Sequence, residues 1–312
     1  MINEPTYIHD HLRSAAFDGQ DRLVYGTSGL GGVWGAVKET ESVNAILYAL
    51  ENGISVFDTA PSYVNAELYL GKALRQWHGA KPFVSTKVGR LGGEDAFDFK
   101  LDYTEEAMTR SLESSLETLG LDHIDLLFLH EPQLVPLKKI DSILDTLKRF
   151  KERGLVKKLG VGGNPNKAFL PFVTKENFDV VSGFLRMDAC NLSVFQGEIQ
   201  RYKREHIAYY AASALHFSLL GNRYEQYQKN GVDGEWLTQA DLVNAKKVKA
   251  IADKYDMPLA TLAQRFLFSI AEADRVVMGA RTMDQLRATL SDWKQGKLSR
   301  ELFDEILNAL RT

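Results

Sequence analysis

The chain has 312 residues, 45% of them hydrophobic and 25% charged, which is ordinary globular composition and enough for one large domain or two small ones. A formal net charge of -3, with no run of five or six like charges, provides no bulk attraction for nucleic acid or an anionic membrane. The only cysteine, Cys190, rules out an intramolecular disulfide and reads as a small buried hydrophobe. Residues 1–20 lack the apolar stretch of a secretory signal, and no uncharged apolar run is long enough to span a bilayer, so a soluble cytoplasmic protein is expected.

From Leu23 the sequence alternates between two patterns. Leu23, Val24 and Tyr25 form a strand that runs into the glycines Gly26, Gly29, Gly31, Gly32 and Gly35, and residues 42–51 carry Val43, Ile46, Leu47 and Leu50 on one helical face. Residues 54–58 are a second strand and 67–77 a helix; residues 82–87 are a third strand, followed by a glycine-broken loop over 89–95. Thr104 suits an N-cap, with Glu105 and Glu106 favoured in the first turn of a helix that Gly120 ends. Residues 124–130 are nearly all apolar, as in a strand buried on both faces of a parallel sheet, and 140–152 form the next helix. Strands follow at 158–164, 178–184, 206–212 and 275–279, with a helix at 195–204. Between the last two strands lie a polar loop at 221–235, long enough to be a lid or binding loop, and helices near 245–255 and 259–269. Amphipathic helices at 282–293 and 300–310 finish the chain. Eight strands alternating with helices predict an α/β fold, a single (β/α)8 barrel domain over residues 1–312; the alternative is an open doubly wound sheet.

In such a barrel the chemistry sits where the strands stop. The second strand stops at Asp58, the third at Lys87, the fourth at His130 and the fifth at Asn164, with Tyr63 in the loop after Asp58. Taken singly, each has a structural reading: Asp58 as a solvated turn residue, Lys87 as a snorkelling lysine, His130 as a satisfied core histidine, Asn164 as a turn residue and Tyr63 as a loop aromatic. Taken together they make an acid–base set. A phenol titrates near about 10 in water, and an adjacent ammonium lowers that value, so Lys87 held by Asp58 is expected to make Tyr63 a usable proton donor and acceptor. His130 can donate to a substrate oxygen. This chemistry suits interconversion of a carbonyl and an alcohol, with the hydride supplied by another molecule.

The set Asp58, Tyr63, Lys87 and His130 resembles the catalytic tetrad of the aldo-keto reductase family. Phe57-Asp58-Thr59-Ala60, Glu67, Leu70-Gly71, Ser85-Thr86-Lys87, the run from Leu121 to His130, and Gly160-Val161-Gly162 with Asn164 stand in that family's order. Gly26-Thr27-Ser28-Gly29-Leu30-Gly31, Thr86 to Arg90, and Ala212-Ser213-Ala214-Leu215 with Leu219-Leu220-Gly221 are similar to the aldose dehydrogenase branch. The resemblance implies a nicotinamide cofactor across the rim. Gly26 and Asp58 would contact the cofactor, Thr27 and Ser28 would flank its nicotinamide ribose, Asn164 would hold the carboxamide, Ser213 and Leu215 would approach the diphosphate, and Gly279, Arg281 and Gln285 would surround the adenosine end. Arg281 pairing with a 2'-phosphate would favour NADP(H) over NAD(H). Tyr63, His130 and Trp34 would face a small-molecule carbonyl or sugar substrate, although Trp34 also suits a packed core position. The segment Gly29 to Trp34 has tryptophan where the dinucleotide fingerprint of an open sheet needs its last glycine.

The chain departs from the family pattern at several positions. Val64 and Ala66 replace a glycine and a serine, Phe184 a glutamine, Ala212 a tyrosine, and Ala288 and Thr289 a Glu-Asn pair. Two other functions remain open. One is a regulatory subunit that keeps the barrel and cofactor without turnover, although a scaffold has no need of a rim Lys–Tyr pair. The other is a metal-dependent hydrolase ligated by Asp58, His130 and Glu131, for which one histidine is too few; no resident metal is expected. No segment marks an oligomeric state or a partner surface.

Overall fold

The computed structural model describes residues 4–93, 98–232 and 234–311. Eight parallel strands close a barrel: Leu23–Gly26, Val56–Asp58, Phe83–Val88, Ile124–His130, Val156–Gly162, Val180–Phe184, Ala208–Ala212 and Arg275–Gly279. The eighth pairs with the first, Val276 opposite Leu23 through to Gly279 opposite Gly26, and this closure excludes the open sheet.

The strands are nearly continuous apolar runs because both of their faces are buried. Inside the barrel, Val24, Val56, Leu126, Phe128, Val180, Ala208 and Tyr210 form one cluster. Gly160 makes room for it, since a Cβ there would lie 2.6 Å from the Phe128 ring. Outside, a larger cluster joins the strands to helices such as Glu39–Glu51, Glu105–Leu119 and Ile140–Glu152. Thr104 caps its helix through its side chain, and Gly120 ends it in the left-handed conformation.

Three features depart from the pattern read in the sequence. An N-terminal hairpin, Arg13–Ser14 with Gln20–Asp21, carries Phe17 under the barrel, edge-on to Phe83 and Tyr210 at 6.2 and 5.5 Å. The loop after the third strand contains a second hairpin, Arg90–Gly92 with Phe99–Leu101; residues 94–95 of the expected loop lie outside the described residues. The polar 221–235 stretch is not a plain loop, because Tyr224–Asn230 is helical. Its polar face is solvated, while Tyr224 and Tyr227 pack on the core, a spacing of three that suits one side of a helix. No helix among the described residues is long and apolar enough to cross a membrane.

Candidate active site

The second and third strands are in register, Asp58 opposite Ser85, so both side chains at the end of each strand are brought to one mouth. Lys87 Nζ donates to Asp58 Oδ2 at 2.7 Å and to the Thr59 carbonyl at 2.8 Å. Ser85, two residues before Lys87 and therefore on the same face, donates to Asp58 Oδ1 at 2.7 Å. Asp58 is thus a buried, fully engaged carboxylate and not the solvated turn residue that its loop suggested. Gly162 lies against Phe128 and the lysine stem: a Cβ there would sit 3.1 Å from Phe128 Cβ, a tight contact, and at an ordinary 3.6 Å from Lys87 Cδ.

Tyr63 lies over this pair, with Lys87 Nζ 4.7 Å from its ring centroid. The loop is fixed by close backbone approach. The Asn65 N–H donates to the Gly31 carbonyl at 3.1 Å, and a Cβ on Gly31 would come within 2.0 Å of the Tyr63 carbonyl oxygen. Burial raises the Tyr63 phenol, and the charge and hydrogen bonding of Lys87 oppose it without cancelling it, so the phenol ends above its ordinary 10.0. The expected lowering is therefore corrected: desolvation of the phenolate outweighs the ammonium. Lys87 itself is disfavoured as a cation by burial, yet Asp58 and Tyr63 together raise it above its ordinary value. The resting site holds an ammonium and a neutral phenol.

His130 sits beside them, its ring 6.2 Å from Tyr63 and nearly perpendicular to it. Burial, then Lys87 and Arg90, holds it well below the ordinary imidazole range, so it is neutral. Its buried Nδ1 has no hydrogen-bond partner among the described residues. Glu131 is engaged by Arg90 and by Gln133, each at 2.6 Å, and its Oε1 lies 4.0 Å from His130 Nε2.

The remaining rim residues are also at the mouth. Thr27 is buried and donates to the Asp58 carbonyl at 3.0 Å, between Gly26 and Ser28. Asn164 is clasped to the end of the sixth strand: its Nδ2 donates to the Phe184 carbonyl at 2.9 Å and its Oδ1 accepts from Phe184 N–H at 3.2 Å. An amide has a second hydrogen and a second lone pair to offer beyond these. Gly279 has open space where a Cβ would stand, its nearest neighbour being the Gly26 carbonyl at 3.9 Å. Gln285 Oε1 accepts from Arg281 N–H at 2.8 Å, and the Arg281 guanidinium donates to the Trp34 carbonyl at 3.0 Å. Trp34 is half exposed, 51%, and is no core residue. It faces Phe217 at 5.9 Å, which in turn faces Trp236 at 6.3 Å, and Trp236 lies at 5.8 Å from Phe184. Phe217 and Trp236 were not singled out in the sequence, where nothing marks two loop aromatics as neighbours. Ser213 has φ +67° and, with Leu215, is partly buried in the segment that carries Phe217.

A charged lysine, a neutral phenol and a neutral imidazole converging on one opening can give a proton to, or take one from, a substrate oxygen. The aldo/keto reductase family model matches residues 22–311. The chain belongs to the aldo/keto reductase family. It is 28% identical over 278 residues to the D-arabinose 1-dehydrogenase of Saccharomyces cerevisiae, covering 82% of this chain and 78% of that one. It is 28% identical over 289 residues to the D-threo-aldose 1-dehydrogenase of a Pseudomonas species, covering 85% and 86%. L-galactose dehydrogenase of Arabidopsis thaliana is 31% identical over 204 residues, covering 63% and 62%. The fold is similar to that of a glycerol dehydrogenase from Gluconobacter oxydans, with TM-score 0.77 and 22% identity over 99% of this chain and 96% of that one. Membership of this family makes the chain an NAD(P)-dependent oxidoreductase that interconverts carbonyl and alcohol, and three relatives it is similar to are aldose dehydrogenases. The residues present fit a nicotinamide cofactor: the mouth offers the open edge at Gly279 and the unused amide capacity of Asn164.

Proposed function

We propose that this protein is an aldose 1-dehydrogenase that works with NADP(H) in preference to NAD(H), with Tyr63 as its general acid and base. One observation carries the reading: a buried Lys87–Asp58 pair directly under the Tyr63 ring, with neutral His130 at its edge. The bound nicotinamide supplies or accepts the hydride. In reduction the neutral phenol of Tyr63 protonates the carbonyl oxygen, and the Lys87 ammonium stabilises the phenolate that forms. In oxidation the phenolate takes the proton of the C1 hydroxyl while the hydride leaves C1, and a lactone results. Neutral His130 donates to the same oxygen through one ring nitrogen and orients it.

The sugar reading is supported by the names of the aldose-oxidising relatives and by the aromatic faces of Trp34, Phe217 and Trp236, flat apolar walls for the C–H face of a sugar. We assign Gly26, Thr27, Ser28 and Asp58 to the ribose side of the nicotinamide and Asn164 to its carboxamide. We assign Ser213 and Leu215 to the diphosphate and Gly279, Arg281 and Gln285 to the adenosine end. Arg281 beside the N-terminus of helix Met283–Gln295 supports a 2'-phosphate contact. We further infer a cytoplasmic enzyme folded as one domain over residues 1–312. Tyr63→Phe is the test. It should cut turnover by about 10²- to 10⁴-fold while NADPH binding, followed by fluorescence, stays within a few fold; turnover near the wild-type rate would remove the proton-transfer role.

A further inference from the structure

Away from the tetrad, three acidic and imidazole groups are buried together with no role in the chemistry above. His216 and Asp188 are completely buried and Asp241 nearly so. His216 Nδ1 meets Asp188 Oδ2 at 2.7 Å, and His216 Nε2 lies 3.5 Å from Asp241 Oδ2. Each carboxylate is fixed in turn. Asp188 Oδ1 accepts from the backbone N–H groups of Cys190 and Asn191 at 2.9 and 3.0 Å and from the Cys190 thiol at 3.2 Å. Asp241 Oδ2 accepts from Thr238 N–H and Oγ1 at 2.8 and 2.7 Å, and its Oδ1 from Asn191 Nδ2 at 2.9 Å. The cluster therefore ties the segment after the sixth strand and the first turn of helix Gln239–Lys254 to one histidine in the segment after the seventh strand.

That third segment carries the most strain of the three; the first has one left-handed residue, Leu185 at φ +58°. Ser213, His216, Phe217 and Ser218 all have left-handed φ angles, between 47° and 67°, a region that residues with side chains adopt only when their surroundings hold them there. It carries Ser213 and Leu215 on one side of His216 and Phe217, facing Trp34, on the other. The ring's charged neighbours, Asp188 and Asp241, are both acidic, which favours the imidazolium. The ligand atoms of Asp188, Cys190 and His216 lie within 4.8 Å of one another, but the thiol is pushed well above its ordinary range by burial and by Asp188, so it serves as a donor to the carboxylate and not as a thiolate ligand.

We propose that His216, clamped between Asp188 and Asp241, is a positioning residue that holds the strained segment from Ser213 to Ser218 in its dinucleotide-binding shape. It acts on cofactor affinity and not on the hydride-transfer step. The inference rests on the assignment of Ser213 and Leu215 to the diphosphate. Without the clamp the left-handed run relaxes, and each binding event must order it again.

The test is calorimetric titration of NADPH into the full-length wild type, His216→Gln and the milder Asp241→Asn, which keeps the His216–Asp188 contact, with kcat measured at saturating cofactor. The brace predicts a dissociation constant raised at least tenfold in His216→Gln and less in Asp241→Asn, with kcat within threefold of wild type in both. Variants that bind as the wild type does, or that lose kcat with affinity unchanged, overturn it. A wild type that binds no dinucleotide removes both this inference and the proposed function, whereas a wild type that binds with variants that match it removes the brace alone. Hydrogen exchange on the wild type covers the case in which His216→Gln does not fold. Slow exchange across residues 213–218 before NADPH is added supports a pre-formed segment, and fast exchange that slows only on binding overturns it.

Discussion

Gly31→Ala is the sharpest test of how the tyrosine loop is held, because Gly31 is more than 30 residues from Tyr63 and touches no reacting atom. A Cβ at position 31 would stand 2.0 Å from the Tyr63 carbonyl oxygen and 2.8 Å from Ala66 Cβ. A carbon and a carbonyl oxygen come no closer than about 3.3 Å without strain, so one of the two backbones must retreat by roughly 1 Å. The short helix Ser28–Gly31 is itself fastened, its Leu30 and Gly31 N–H groups donating to the Thr27 carbonyl at 3.0 Å, and Gly31 is buried. The tyrosine loop is held by bonds of the same length, Tyr63 N–H to the Ala60 carbonyl and Ala66 N–H to the Tyr63 carbonyl at 3.0 Å, so it shares the displacement. Overpacking of this kind costs about 1–3 kcal/mol in stability, and a misplacement of roughly 1 Å in a catalytic group costs about 100-fold in rate. Steady-state kinetics with an aldose and NADP+, beside thermal unfolding of the same preparation, reads both quantities. The expected outcome is a kcat lower by about two orders of magnitude with a folded protein and cofactor affinity changed only a few fold. A variant with kcat within threefold of wild type would show that the Gly31–Tyr63 approach does not set the position of the phenol.

Val64→Gly should stabilise the protein, since Val64 is a β-branched residue at φ +54°; relief of about 1–2 kcal/mol against an entropic loss of about 0.5–1 kcal/mol leaves a small rise in melting temperature, and a fall would refute the strain argument. Lys87→Met leaves Asp58 as an unpaired buried carboxylate, so unfolding in urea should show a loss of about 3–5 kcal/mol together with the loss of turnover; Lys87→Met/Asp58→Asn should recover stability without recovering rate. Because the Tyr63 phenol lies above 10.0, carbonyl reduction should hold level through pH 9 and aldose oxidation should climb over the same range as the phenolate fraction grows; opposite slopes would reassign the proton-transfer group. His216, raised from 6.5 to about 10, binds a proton in the folded state that the unfolded chain has lost. Its stabilisation is complete below pH 6.5 and disappears as pH rises through 10, on the order of 5 kcal/mol. Wild type and His216→Gln should therefore differ most in melting temperature near pH 6 and converge toward pH 10.

A parallel sheet covered on both faces is legible because its strands must be largely apolar, as residues 124–130 are; that the sheet closes into a barrel is seen only in the pairing of the eighth strand with the first. The N-terminal hairpin is not legible: its strands are two residues long, and it exists because Phe17 fills the barrel floor beside Phe83 and Tyr210, a contact that no local pattern encodes. The tetrad could be read from its positions at strand ends, where topology alone brings distant residues together. Its electrostatics could not be read in the same way. The sequence puts an ammonium beside a phenol, which predicts a lowered phenol; it does not reveal how dry the mouth is, and burial is what reverses the sign. The clamp on His216 was hidden for a related reason. Asp188 lies on the connection after the sixth strand, and His216 and Asp241 lie 25 residues apart on the one after the seventh, with spacing that matches no ligand motif; only the fold makes them neighbours.

The same burial that raises Tyr63 gives the site its direction. Lys87 stays charged because Asp58 accepts from it at 2.7 Å, while His130, also buried, faces Lys87 and Arg90, has its nearest carboxylate, Glu131, 4.0 Å away, and stays neutral. Two basic side chains in one pocket are thus driven to opposite charge states, and they serve different ends. In the mechanism we propose, the ammonium held by its carboxylate would stabilise the charge that appears on the phenol, while the imidazole, with one donor and one acceptor, would orient a neutral substrate oxygen without competing for the proton. Were His130 an imidazolium, it would repel Lys87 and present a second acid to the same oxygen, so that the transferred proton would no longer be determined by Tyr63. A pocket of this polarity needs its phenol held still over the pair. That is why the close approach of Gly31, distant in sequence and chemically inert, is expected to affect the rate as strongly as a loss of charge would.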